Sequence, residues 1–339
     1  MPTFCRHNRF LERCPICSKT LPGAAPARGA RRAPAGAKAP RRGGEATTRR
    51  GGRGESVRVR REGRAEDDGY RSELIPGVRA TGDAGRLAQE IAFASGRLST
   101  LGVAPPGLYG EARALADGDL ERASWICFLI AYLSPLEDRE DPFAGIREAL
   151  EEAPTLPREG PMPRLEGIPL GPRSSHEATR GAATLLAYRQ WVHRAGGEPP
   201  TQARALTGDS AWSPERRFER LFERLALPGL GRTGRYELLV TLGRLGLYEL
   251  RASSLHLSGG GALGGGDQTT VAAKRIFGIG DPLLLDRRAA ALAQAVSVPI
   301  EALDLALANW AGPERASVGV GRQSGEDGAL ERAETALSL

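Results

Sequence analysis

Leu227-Pro228-Gly229-Leu230-Gly231-Arg232-Thr233-Gly234-Arg235-Tyr236 is the stretch on which the fold turns. Phe218, Leu221, Phe222 and Leu225 precede it at helical spacing, and Leu238, Leu239, Leu242 and Leu245 follow it in the same way. A helix, a Leu-Pro-Gly-apolar-Gly turn and a second helix make the layout of a helix-hairpin-helix. Gly229 and Gly231 let the backbone turn tightly and approach a DNA phosphate, which the free N–H groups of the next helix then hold. Arg232 and Arg235 add positive charge beside them. Contacts of this kind position DNA without reading its bases. The plainer alternative is an ordinary helix connection with glycine at the C-cap.

Outward from the hairpin, helical periodicity runs through residues 81–312. Leu87, Ile91, Ala94 and Leu98 share one face. Leu120–Leu133 is apolar nearly all round, which predicts a central buried helix. Asp141-Pro142 suits a helix start, since Asp caps and Pro fits the first turn. Residues 154–173 carry six prolines and read as a long loop. Further helices are expected near 175–195, 214–225, 233–246, 269–277, 282–296 and 300–310. No strand-like alternation of any length occurs, so the fold class is all-α. Residues 313–339 read as a polar tail ending in a short helix.

The net charge of +6 conceals a strong asymmetry. Between Arg28 and Arg64 stand 13 Lys/Arg against 3 Asp/Glu, so the remainder of the chain is mildly acidic. Residues 21–80 are rich in Ala, Gly, Pro and Arg and bury too little apolar area to offset ordering entropy, which predicts a disordered basic linker. A basic block attracts phosphate-rich polymers through counterion release, or serves only as a solubilising segment. The longest apolar run, Trp125 to Leu133, is too short to span a bilayer, so no membrane partner is expected. Met1–Thr20 lacks the apolar stretch of a secretory signal. These features point to a cytoplasmic, nucleoid-associated protein.

Three of the four cysteines lie in residues 1–20, and the fourth, Cys127, is in the apolar run. Cys14-Pro15-Ile16-Cys17 offers two thiolates on one turn, and Cys5 with His7 completes a tetrahedral set for one structural zinc. A knuckle this short has no core, so metal binding would supply its folding free energy. A redox Cys-x-x-Cys is the alternative, without the βαβ pattern that usually accompanies it.

The hairpin together with Gly266-Asp267-Gln268-Thr269-Thr270 and Ile130-Ala131-Tyr132-Leu133-Ser134 resembles the helix-hairpin-helix DNA glycosylase superfamily. In that group a catalytic aspartate opens a helix after the hairpin, a role the resemblance assigns to Asp267. Thr233 stands where lyase-type members carry a lysine nucleophile, so no Schiff-base chemistry is implied. A Gly-rich insert (Gly259–Gly261, Gly264–Gly266) lengthens the path from hairpin to acid. The Cys-Arg-His-Asn-Arg-Phe opening, Cys-Pro-Ile-Cys-Ser-Lys, Leu-Ala-Leu-Pro-Gly-Leu-Gly-Arg and Phe-Gly-Ile-Gly-Asp-Pro-Leu-Leu-Leu-Asp-Arg-Arg narrow the likeness. Together they resemble the bacterial branch of the α-glutamyl/putrescinyl-thymine pyrophosphorylases. That resemblance implies replacement of pyrophosphate, on a 5-hydroxymethyl-uracil-derived base in DNA, by an amine.

Departing pyrophosphate needs cations and helix N-termini. Lys274, Arg275, Arg287 and Arg288 are the candidate cations, and Asp267 the candidate base. The plainer alternative for Asp267 is a helix N-cap after the glycine linker, and for Asp281, more strongly, a cap before proline. Three readings stay open: a DNA-base-modifying or glycosylase-like enzyme, a non-catalytic DNA-binding module, and an adaptor that binds a partner through its zinc knuckle. A concave pocket containing Asp267 with Lys274 or Arg275 separates the first from the second.

Overall fold

The computed structural model describes residues 65–137, 139–258, 267–321 and 328–339. The zinc-ligand set, the basic segment through residue 64 and the Gly-rich insert lie outside them. The described residues fall in one unit of the chain, Arg60–Leu339, the other being Met1–Val59. Among the described residues the regular structure is entirely helical: α1 (Thr81–Val103), α2 (Gly107–Ala114), α3 (Leu120–Leu133), α4 (Ala144–Glu152), α5 (Gly181–Ala195), α6 (Gln202–Thr207), α7 (Pro214–Arg224), α8 (Arg232–Arg244), α9 (Gln268–Phe277), α10 (Pro282–Ala295), α11 (Ile300–Ala311) and α12 (Ala329–Leu337).

Helix α3 is the centre, as its all-round apolar surface requires: every residue from Ala123 to Leu133 is buried. Asp119 caps it by accepting from Arg122 N at 3.0 Å. Its Phe128 ring stacks on Tyr188 of α5 with centroids 3.9 Å apart. Helices α8 and α2 pack on α3, α7 on α8, and α9 on α11 and α10, while α1 lies against α11 and α12. A buried Arg97–Glu237 ion pair ties α1 to α8.

Packing extends beyond the periodic segment at both ends. Upstream of α1, within the stretch expected to be linker, Ile75 and Val78 are buried in the core. Gly77 makes this possible: its N–H donates to Ile276 O at 2.8 Å, and a Cβ there would lie 2.0 Å from Arg275 O. Downstream, Ala333 and Leu337 of α12 are buried, and Tyr70 donates to Leu337 O at 2.6 Å. Among the described residues no single helix is long and apolar enough to cross a membrane.

The proline-rich loop is held against the end of α3 by Gly171 N to Ser134 O (3.0 Å) and Ser175 N to Tyr132 O (2.9 Å). Residues 175–180, expected to be helical, remain in this loop, and α5 starts only at Gly181. The loop therefore reaches both the hairpin and the start of α9.

Candidate active site

The hairpin turn is built by local chemistry. Leu227 O accepts from Leu230 N at 3.1 Å, with Pro228 second and Gly229 third at φ +77°. Proline then glycine at positive φ is the requirement of a type II turn. Gly229 is also the point of closest approach to α5, since a Cβ would lie 1.9 Å from Thr184 Oγ1. Gly231 is the N-cap of α8, exposed, and no side chain caps the helix. Its first amides are thus open to an external acceptor. Gly229 and Gly231 face Ser175, His176 and Arg180 across an open cleft of about 450 Å³.

Arg232 does not face that cleft. Its side chain turns inward and is 4% exposed, with Nη2 2.7 Å from Asp304 Oδ1 and Nη1 3.3 Å from Asp267 Oδ1. Nε donates to Leu255 O at 3.0 Å. The other oxygen of Asp304 holds Arg173 Nη2 at 2.5 Å. Thr269 Oγ1 adds a bond to Asp304 Oδ1 at 3.1 Å. One network, Arg173–Asp304–Arg232–Asp267, thus joins the proline-rich loop, α11, the hairpin helix and the start of α9. Two arginines and two aspartates balance one another, which a buried cluster requires. Burial opposes ionisation of Asp304, but Arg232 and Arg173 outweigh it and hold the carboxyl below its ordinary range. Burial likewise opposes the charge on Arg232, and Asp304 and Asp267 overcome it.

Asp267 caps α9, accepting from Thr270 N at 3.1 Å, and its other oxygen accepts from Thr270 Oγ1 at 2.6 Å and Ser258 Oγ at 3.2 Å. Its side chain keeps 13% exposure. The carboxylate is therefore both a helix cap and a member of the ionic network. Asp281 caps α10 by accepting from Leu284 N at 2.9 Å.

The expected cations do not gather at Asp267. Lys274 and Arg275 sit near the far end of α9, about 10 Å along the axis at 1.5 Å per residue. Arg287 is exposed on α10, and Arg288 donates to Phe277 O. Arg235 is half-buried, 3.0 Å from Phe222 O and over the Phe222 ring; burial and the neighbouring Arg232 charge lower its pKa. The cations beside Asp267 and Asp304 are instead Arg232 and Arg173.

Arg173 also lines a second cleft, of about 360 Å³, between the α3–α4 connection and the end of α11. Gln268, next to Asp267, lines it too, with Glu137, Asn309 and Arg315. Asp267, Lys274 and Arg275 do not line this cleft, so it is not the pocket that would separate an enzyme from a docking module. Glu137 Oε1 accepts from Ser317 N and, at 2.6 Å, from Val318 N.

His256, which no motif in the sequence singles out, lies behind the hairpin. Its ring stacks on Phe222 at 4.3 Å, and its carbonyl accepts from Arg232 Nε at 3.2 Å. Burial foremost, then Arg232 and Arg235, lowers its pKa to about 4. Among the described residues no group of three or more His, Cys, Asp or Glu is placed to hold a metal ion.

Among the described residues, fold and site thus define an all-helical arrangement in which a glycine-turned helix start is locked by buried ion pairs to a second, aspartate-capped helix start. Residues 173–318 match the family model for alpha-glutamyl/putrescinyl thymine pyrophosphorylase clade 3, the family group the sequence resembles. The matched span begins at Arg173 and contains all four network residues. No curated protein and no solved structure matches the chain.

Proposed function

We propose that this protein binds DNA through the hairpin and modifies a thymine-derived base, exchanging pyrophosphate for an amine at the base's 5-methylene. The observation that carries the reading is the buried Arg173–Asp304–Arg232–Asp267 network, which lies wholly within the family-matched span. A glycosylase-type layout accounts for the arrangement: the hairpin amides hold a backbone phosphate, and the acid-bearing helix start lies one guanidinium away.

The amine nitrogen forms a bond to the methylene carbon as the carbon–oxygen bond to pyrophosphate breaks. Pyrophosphate leaves with the electron pair, and the proton released from the new ammonium passes to the Asp267 carboxylate. Lys274 and Arg275, in the last turn of α9, are not assigned a part in this step.

A second reading has its own support. Asp267 makes a complete helix cap, so the hairpin could dock DNA without chemistry. The test is to incubate the full chain with duplex DNA bearing pyrophosphorylated 5-hydroxymethyl-uracil and a primary amine. Stoichiometric pyrophosphate release with a mass gain on the DNA supports the enzyme. Binding without release leaves only the docking module.

Cys5, His7, Cys14 and Cys17 are proposed as a structural zinc set, on the strength of their spacing alone. The basic segment is proposed to add sequence-independent DNA affinity, and its charge supports this. A cytoplasmic, nucleoid-associated location follows from the proposed DNA substrate.

A further inference from the structure

We infer that the turn between α9 and α10, together with the outer face of α10, is the contact surface of a twofold dimer with a second copy of this chain. This surface is separate from the site proposed above, since the length of α9, about 15 Å at 1.5 Å per residue, lies between it and Asp267. Eight large apolar side chains are exposed among the described residues, and four of them, Val271, Ile279, Leu283 and Leu284, fall within residues 271–284. Ile279 is 95% exposed and Leu283 72%. A single exposed apolar residue needs no explanation, but a cluster of this kind marks an interaction site.

The knuckle that carries Ile279 is pinned on both sides. Phe277 before it is fully buried, and its carbonyl accepts from Arg288 Nη1. Gly278 turns the chain at φ +87°, a region that a side chain disfavours. After it, Asp281 caps α10 by accepting from Leu284 N at 2.9 Å. Leu284 rests on Gly280, where a Cβ would lie 3.0 Å from Leu284 Cδ2. An apolar tip already fixed in place loses little entropy when a partner covers it, which favours association.

Self-complementarity makes a second copy the occupant. Past Leu284 the solvent face of α10 continues with Arg287, Ala290 and Ala291, all exposed. Neither Arg287 nor the Asp281 carboxylate forms an ion pair among the described residues. Asp281 and Arg287 stand three residues to either side of Leu284. Antiparallel packing of two α10 helices about a twofold axis beside Leu284 therefore sets Asp281 of each copy level with Arg287 of the other. The same register brings Leu284 against its own counterpart and the Ile279 tip toward Ala290 and Ala291, whose small side chains leave room for it. Such a contact is isologous, so each of these complementary pairs occurs twice.

The test is analytical ultracentrifugation of the full chain, without DNA, over a dilution series. The wild type should sediment at twice the mass of one chain and dissociate on dilution. Ile279→Asp, at a solvent-facing position, should keep the melting temperature and weaken the dimer by about tenfold or more, as for a lost interface anchor. Asp281→Arg and Arg287→Asp each set like charges opposite one another and should weaken self-association in the same way. An equimolar mixture of these two variants should associate again, because every facing pair in the mixed dimer has opposite signs. Asp281→Arg also loses its helix cap and should melt slightly lower. A wild type that is monomeric at every concentration, or a dimer unchanged by Ile279→Asp, overturns the proposal. Failure of the mixture to associate, with both variants melting cooperatively, overturns the antiparallel register. None of these results bears on the DNA reading.

Discussion

Asp304 Oδ1 lies 2.7 Å from Arg232 Nη2, and the two side chains are 3% and 4% exposed. This contact joins the middle of α11 to the first residue of the hairpin helix. It explains why Arg232, which stands beside Gly231 like a phosphate contact, is absent from the hairpin surface. The hairpin and the aspartate-capped start of α9 are fixed to one another through a single guanidinium.

Removing Asp304 should therefore be expensive. Asp304→Asn leaves Arg173 and Arg232 buried without their shared carboxylate, a loss of about 3–5 kcal/mol for a broken buried pair. The pH dependence gives a second readout. The folded-state pKa is depressed, so the contribution is present above the unfolded value of about 3.9 and is lost as pH falls through the folded pKa. Denaturant melts should show a shallower loss of stability below pH 4 for Asp304→Asn than for the wild type.

The hairpin glycines should respond differently from one another. Gly229→Ala forces a side chain to φ +77° and into Thr184 Oγ1, costing at least about 1–3 kcal/mol. At Gly231 φ is −64° and the nearest atom to a new Cβ is Ser175 Oγ at 4.0 Å. Gly231→Ala should cost about 0.5–1 kcal/mol at this N-cap, with the larger effect on DNA. Thermal melts paired with filter binding on several unrelated duplexes check this: Gly231→Ala should weaken all of them alike.

What the sequence made legible was local. Pro228, Gly229 and Gly231 announce a turn by their own backbone preferences, and the apolar run in α3 announces a centre. The charged partners of Asp267 and Asp304 were not local. Arg173 lies in a proline-rich loop 131 residues before Asp304, and no spacing rule connects them. A signal existed all the same: Asp304 is a lone aspartate among Leu303, Leu305, Ala306 and Leu307, and a charge amid an apolar helix requires a buried counter-charge. Arg232 and Arg235 show the opposite problem, since proximity to a glycine turn does not say which way a side chain points.

His256 should make the hairpin acid-sensitive. Its folded pKa, about 4, is below the unfolded value of about 6.5, so the unfolded chain takes up the proton first. Stability contributed by the neutral ring is present above pH 6.5 and drains away as pH falls toward 4. His256→Asn tolerates the positive φ of 50° at this position and removes the titration. Melting curves between pH 7 and pH 4 should be flatter for the variant; equal slopes would show that His256 is not the acid-sensitive group.

The N-terminal elements give two separable outcomes. Protein never exposed to chelator should carry close to one zinc per chain by elemental analysis, and a Cys14→Ser, Cys17→Ser variant should carry none. Deleting residues 21–64 should reduce the slope of log affinity against log salt, because fewer counterions are released. The melting temperature of the helical body should stay unchanged. An identical salt slope would show that the basic block takes no part in DNA binding.

The most direct test of Asp267 as the base is the rate of pyrophosphate release by Asp267→Asn on duplex DNA carrying the pyrophosphorylated base, with amine in excess. Asparagine retains the oxygen that caps Thr270 N but cannot take a proton and leaves Arg232 with one fewer carboxylate. The variant should melt lower, yet below that melting temperature duplex affinity should survive while release slows by about 10²-fold or more. Release within about twofold of the wild type, from a folded variant that binds DNA, would contradict this chemistry and reduce Asp267 to a helix cap, since a lost general base costs far more than that.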